Sequence, residues 1–112
     1  MPRYAPVAAA ENRTVDGIVF DSAMEARRYF ELRCLARAVP PVIRELRRQL
    51  PFALPGGIRY TPDFCYYDIE AGVSVAEEVK PLFARKDAAY RIRVRLFVAE
   101  YPEWEHREWS NE

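Results

Sequence analysis

Asp63, Glu78 and Lys80 are the residues whose types and spacing could do chemistry together. Asp63 follows Pro62 inside a β-rich run, residues 58–67, and Glu78-Val79-Lys80 closes a second run, residues 73–80. Glu70-Ala71-Gly72 turns the chain between them. If the runs pair as neighbouring strands, the two carboxylates can project from one face and converge. Lys80 stands two residues beyond Glu78, so the strand period puts it on Glu78's face, about 7 Å along. Carboxylates are hard oxygen ligands for a Mg²⁺ or Mn²⁺ ion that keeps several waters. Such an ion polarises a phosphate and lowers the pKa of a bound water. A neighbouring lysine can orient or deprotonate that water, or neutralise charge on a developing phosphorane. The Val79 carbonyl could add a further metal ligand while its side chain anchors in the core. This is the equipment of phosphodiester hydrolysis. Taken alone the residues admit a plainer reading, with Asp63 in a turn and Glu78–Lys80 as a solvated cross-strand ion pair.

The elements that must position these groups are legible around them. Ser22-Ala23-Met24-Glu25 is a capping box, and it predicts a helix running to about Val39, stopped by Pro40-Pro41. Tyr29, Leu32, Ala36 and Val39 form its inner stripe, and extending that stripe back by four residues lands on Glu25. A third carboxylate therefore ends an apolar face, either as a ligand or as a cap and nothing more. Residues 43–54 alternate in places (Ile43, Leu46, Leu50, Phe52, Leu54), as a strand or a strand entered through a bend. They carry Gln49, a polar residue in support of the cluster or simply on the surface. In the run 58–67, alternation puts Tyr60, Pro62, Phe64 and Tyr66 on one face and Thr61, Asp63, Cys65 and Tyr67 on the other. In the next run, Val73, Val75, Glu77 and Val79 oppose Ser74, Ala76, Glu78 and Lys80. From Arg85 to Tyr101 the pattern is helical and apolar on two sides, Tyr90/Val94/Phe97/Tyr101 and Ala88/Ile92/Leu96/Ala99, which suggests a homodimer contact on one of them. Residues 104–109 alternate as a last edge strand, and His106, the lone histidine, reads as a surface residue.

The expected fold class is α/β (α+β): helix, three strands, helix, strand, in a mixed sheet flanked by helices. Residues 1–15 read as a flexible arm and 16–112 as one domain. Half of the 112 residues are hydrophobic and 30% charged, an ordinary globular composition. No run suits a membrane span or a secretory leader, and Cys34 and Cys65 are too few for a disulfide framework, so a cytoplasmic setting with reduced thiols is expected. The net charge is zero, with 17 basic and 17 acidic residues. The basic residues are nonetheless concentrated at 27–48 and 85–95, while acids gather at 100–112. All but Lys80 and Lys86 are arginine, the side chain suited to bidentate phosphate contacts. Arg91 and Arg95, on a helix flank between the apolar stripes, and Lys86 are the candidates for DNA contact, against the alternative of a solvated face. No glycine-rich phosphate loop is present.

Tyr60-Thr61-Pro62-Asp63-Phe64 followed by Glu78-Val79-Lys80, behind a helix opening Phe20-Asp21-Ser22-Ala23-Met24-Glu25-Ala26, resembles the PD-(D/E)XK nuclease superfamily. More narrowly the chain is similar to small phage and prophage endonuclease-like, Holliday-junction-resolvase-like proteins. Asp16-Gly17, Gln49 and Tyr101-Pro102 extend that ordered set over about residues 11–109. The resemblance implies a restriction-endonuclease-like core, with Mg²⁺ (or Mn²⁺) held by Asp63 and Glu78, support from Glu25 and a catalytic role for Lys80. It also implies DNA as partner, with branched or recombination-intermediate DNA as the expected form. Pro81 departs from the pattern, where glycine is usual, and the connection at 55–58 is short. Two other readings stay open: a catalytically silent module of the same fold that binds nucleic acid or protein, and a transposase-associated strand-cleaving subunit.

Overall fold

A computed structural model describes residues 8–112. After a 3-10 turn at Ala10–Arg13, Thr14–Val15 (β1) and Ile18–Val19 (β2) form a small antiparallel ribbon. Asp16 and Gly17 make its two-residue connection at φ 54° and 76°, a left-handed pair that Asp-Gly supplies at little steric cost. The ribbon is tied to the first helix and its entry. The Phe20 amide donates to the Arg13 carbonyl at 2.8 Å, the Arg13 guanidinium donates to the Phe20 carbonyl at 2.7 Å, and Arg33 pairs with Asp16. Of the arm expected at 1–15, residues 1–7 lie outside the described residues; the rest holds the 3-10 turn and β1, with Arg13 bonded to Phe20.

Ala23–Arg37 (α1) is capped as expected, the Ser22 hydroxyl accepting from the Glu25 amide at 3.0 Å. It stops two residues short of Val39, which is 96% exposed and leaves the inner stripe. The residue before a proline is pushed out of the α region, and here Ala38 is already extended.

The two long β-rich runs are each cut in two. Ile43–Arg48 (β3) and Phe52–Ala53 (β4) are separated at Gln49, which has φ 51°. Arg59–Tyr60 (β5) and Phe64–Asp68 (β6) are separated at Pro62, which has no N–H to extend a ladder. β4 and β5 pair only with each other, Phe52 opposite Tyr60. Tyr60 therefore does not share a face with Phe64 and Tyr66, contrary to simple alternation. It packs with Phe52 and Phe97 on the other side of the main sheet.

That sheet has the order β3-β6-β7-β8, where β7 is Val73–Val79 and β8 is Trp104–Trp109. β3/β6 and β6/β7 are antiparallel and β7/β8 is parallel. The parallel pair needs a crossover, and Ala88–Glu100 (α2) provides it. The chain is thus a mixed α+β domain of two helices on a mixed sheet. α2 begins later than the pattern suggested, because Asp87 caps it by accepting from the Tyr90 amide at 2.9 Å, and Leu82–Lys86 form a separate 3-10 turn. Its stripe Tyr90/Val94/Phe97/Tyr101 faces inward; of the opposite stripe Leu96 packs on the core, while Ala88, Ile92 and Ala99 are exposed.

The helices cover opposite faces of the sheet. Phe64, Tyr66 and Val75 join Leu32 and Ala26 of α1, while Cys65 and Ala76, one residue along each strand, join Tyr90 and Phe97 of α2. One polar group lies deep on the α1 face. Glu77, 1% exposed, receives Arg28 Nε and Nη2 at 2.7 and 2.8 Å and the Tyr66 hydroxyl at 2.7 Å. The Arg28 guanidinium also lies 5.1 Å from the Trp109 ring centre, which links α1 to the edge strand. Removing one partner of such a pair strands a buried charge. Arg28→Met should cost about 3–5 kcal/mol in urea unfolding, and the further change Glu77→Leu should recover much of that loss.

Candidate functional site

Three elements meet at the end of the sheet where β6 begins and β7 finishes. The antiparallel register aligns Phe64 with Glu77; continued by one residue it sets Asp63 against Glu78. Asp63 is held there from both ends. Its carbonyl accepts from the Gln49 amide at 3.2 Å, and its Oδ2 accepts from the Val79 amide at 2.8 Å. Glu25, in the first turn of α1 and 7% exposed, reaches the same point, and its carboxyl bonds to Asp63. Glu78 stands near enough to Asp63 for the Asp63 charge to raise its pKa. Asp63 is thus the charge that acts on both glutamates. The Lys80 charge acts on both Asp63 and Glu78, and its ammonium rests 4.3 Å from the Tyr90 ring centre. The Val79 side chain packs against the first core, as expected.

Crowding of like charges in a half-dry place sets the protonation. Burial, then the Asp63 charge, push Glu25 up to about 7, and the same two causes in the same order push Glu78 up to about 7. Asp63 is raised as well, by burial, against the opposing effects of the Val79 amide, the Glu25 hydrogen bond and Lys80. Near neutral pH the group therefore holds protons that Asp63 accepts from its neighbours. A divalent cation would displace those protons and relieve the repulsion. Among the described residues no three or more His, Cys, Asp or Glu side chains are grouped closely enough to hold a metal ion as they stand. The donors that Asp63 and Glu78 could offer are all oxygen, the type that Mg²⁺ or Mn²⁺ takes through one or two carboxylates while retaining water.

The remaining sequence candidates divide. Gln49 serves through its backbone amide, and the residue itself is exposed. Arg91 and Arg95 line a cleft of about 360 Å³ with Arg85, Tyr90 and Glu108. A second cleft of about 300 Å³ borders Glu78 and Lys80 and is lined by Arg59, Thr61, Asp87 and Arg93. Tyr90 lines both, so the basic flank of α2 adjoins the cleft that holds Glu78 and Lys80; Asp63 and Glu25 line neither. Lys86 is exposed on the 3-10 turn and lines neither cleft.

Sequence reasoning missed several members. Asp21 adds negative charge beside Glu25 and Asp63, and Arg48 offsets it at Glu25. The Tyr60 hydroxyl donates to Glu78 Oε1 at 2.8 Å and meets His106 Nε2 at 2.8 Å. His106, expected on the surface, is half-buried among the rings of Tyr60, Tyr90 and Phe97, and burial lowers its pKa. The alternation of residues 104–109 could have placed His106 on an inward face. Nothing local could have shown that β8 runs parallel to β7, which brings His106 beside Ala76. Tyr90 donates to Glu108 at 2.6 Å, which closes this wall of the cleft.

Comparison with family models, with curated proteins and with solved structures finds no match for the chain.

The Glu25 shift carries a stability consequence. A carboxyl whose folded pKa lies above its unfolded value of 4.5 keeps its proton longer in the folded state, so stability falls as pH rises from 4.5 to about 7. Glu25→Gln removes that dependence. Without divalent ions, the variant should be more stable than the parent by on the order of 1–2 kcal/mol at about pH 8 and nearly equal to it at about pH 5. Urea unfolding at the two pH values measures both; equal differences would show that Glu25 does not crowd Asp63.

Proposed function

We propose that this chain is a divalent-metal-dependent DNA endonuclease built on a restriction-endonuclease-like core. The observation that carries the reading is the meeting of Glu25, Asp63 and Glu78, from α1, the start of β6 and the end of β7, with the Lys80 charge acting beside them. Acidic groups held together at this cost, with two pushed up to about 7, serve no purpose in packing. The order helix, strands, helix, strand around a mixed sheet is consistent with that core.

Asp63 and Glu78 would hold the cation, with Glu25 and the Val79 carbonyl in support. When bound, Mg²⁺ or Mn²⁺ supplies Lewis acidity toward the scissile phosphate and a water of lowered pKa. The chain's own residues do the rest. Lys80, two residues beyond Glu78 on the same strand face, is placed to orient the attacking water and to offset charge that grows on the phosphate. The Val79 amide fixes the Asp63 carboxylate, so the ligand is oriented before a cation arrives. Arg59 and Arg93 in the near cleft, and Arg91 and Arg95 in the far one, would supply cations for the nucleic-acid backbone. A duplex needs such a local face and not a positive total, so a net charge of zero is no obstacle. Among the described residues no helix is long and apolar enough to cross a membrane.

The test is incubation of the purified protein with plasmid, linear duplex, single-stranded and four-way-junction DNA, with and without Mg²⁺ or Mn²⁺. Cleavage should require the ion, vanish in Asp63→Asn, and fall by about 100-fold or more in Lys80→Ala. Mn²⁺ should raise the melting temperature of the parent and not of Asp63→Asn. Cleavage that survives chelation, or Asp63→Asn, would overturn the proposal. Arg91→Ala and Arg95→Ala should each weaken DNA binding and lower the log–log salt slope by about 0.9, the loss of one phosphate contact.

A further inference from the structure

We propose that Tyr60, itself oriented by His106, is the positioning residue that aims the Glu78 carboxylate, with the hydrogen bonds running in one direction: His106 to Tyr60 to Glu78. This rests on the reading of Glu78 as a metal ligand. Three elements bring the groups together, β5, β7 and β8. Tyr60 is 4% exposed, and its ring stands edge-on to Phe97 with centres 5.4 Å apart, so the hydroxyl has little freedom to swing away. That hydroxyl touches two groups at once, Glu78 Oε1 and His106 Nε2, each at 2.8 Å.

A tyrosine hydroxyl has one proton to give. Once Glu78 is ionised, its carboxylate oxygen is the stronger acceptor of the two neighbours, and a bond to it is charge-assisted. A tyrosine hydroxyl has an ordinary pKa of about 10, so the phenol keeps its proton to donate. His106 must then be the donor to the Tyr60 oxygen. That assigns the neutral imidazole a single tautomer, with hydrogen on Nε2 and a bare Nδ1. The ring is boxed by Tyr60, Tyr90 and Phe97 at centre distances of 5.8, 6.4 and 6.1 Å, and Glu108 is the charged group that acts on it. With one oxygen committed to Tyr60, the Glu78 carboxyl cannot rotate freely while it meets Asp63. Partners one step behind a metal ligand fix its orientation in this way, and their loss typically lowers metal affinity by roughly 10–100-fold.

His106 is the one histidine in the chain, so its ring nitrogens can be read without ambiguity in long-range ¹H–¹⁵N spectra of the metal-free protein. The expected pattern at about pH 9, where Glu78 is ionised, is protonated Nε2 and unprotonated Nδ1. The opposite tautomer would mean that Tyr60 donates to His106 instead, and would overturn the proposal. Titration calorimetry with Mn²⁺ supplies the second arm. Tyr60→Phe, which keeps the ring and its packing, should bind Mn²⁺ roughly 10–100-fold more weakly than the parent at a nearly unchanged urea midpoint. His106→Leu should lose affinity in the same direction, whereas His106→Gln, whose amide nitrogen can stand in for Nε2, should stay close to the parent. A Tyr60→Phe protein that binds Mn²⁺ as the parent does overturns the positioning role and leaves the metal reading intact. A parent that takes up no Mn²⁺ overturns both.

Discussion

Two carboxyls held against a third in a half-buried cleft repel one another, and the chain accepts that cost twice around Asp63. What makes it tolerable is backbone. The Val79 amide donates to the Asp63 carboxylate and the Gln49 amide to its carbonyl, so Asp63 is fixed by the sheet and not by its own rotamer preference. Glu25 and Glu78 then answer by holding protons near neutrality instead of moving away. The remaining cost is borne by the two cores, one on each face of the sheet, that lock α1 and the β6/β7 pair in place.

Strand β7 divides its labour residue by residue. Glu77 points to the α1 face, where Arg28 and Tyr66 neutralise it, and Glu78 points to the other, where Tyr60 and Asp63 meet it. The same side-chain type is a buried structural ion on one face and a chemically available acid on the other. A slip of one residue in the β6/β7 register would exchange them, placing the unpaired carboxylate under α1. The Arg28–Glu77 pair and the cross-strand contacts therefore guard the register on which the site depends, although they take no part in its chemistry.

The site also explains the broken strands. A continuous run through residues 58–67 would have put Tyr60 on the α1 face, away from Glu78. The interruption at Pro62 frees the short β4/β5 ribbon to fold onto the α2 side, and that rotation delivers the Tyr60 hydroxyl to Glu78 Oε1. Pro62 thus terminates one ribbon, begins the approach to the next strand, and leaves Asp63 as the first residue beyond it.

Local pattern determined a good deal. The Ser22 cap, the two-residue Asp16-Gly17 turn, the alternation along β7 and the inner stripe of α2 arise from backbone sterics and side-chain period, which act over a few residues. Asp63, Glu78 and Glu25 stand out by type and spacing, and the Asp63 charge acts on both glutamates. What only tertiary structure decided is what stands around them. Asp21, Arg48, Tyr60 and His106 enter the site through a ribbon that changes face and a strand that pairs parallel after a crossover helix. Strand partners distant in sequence are selected by the burial of whole faces, and no window of a few residues contains that information.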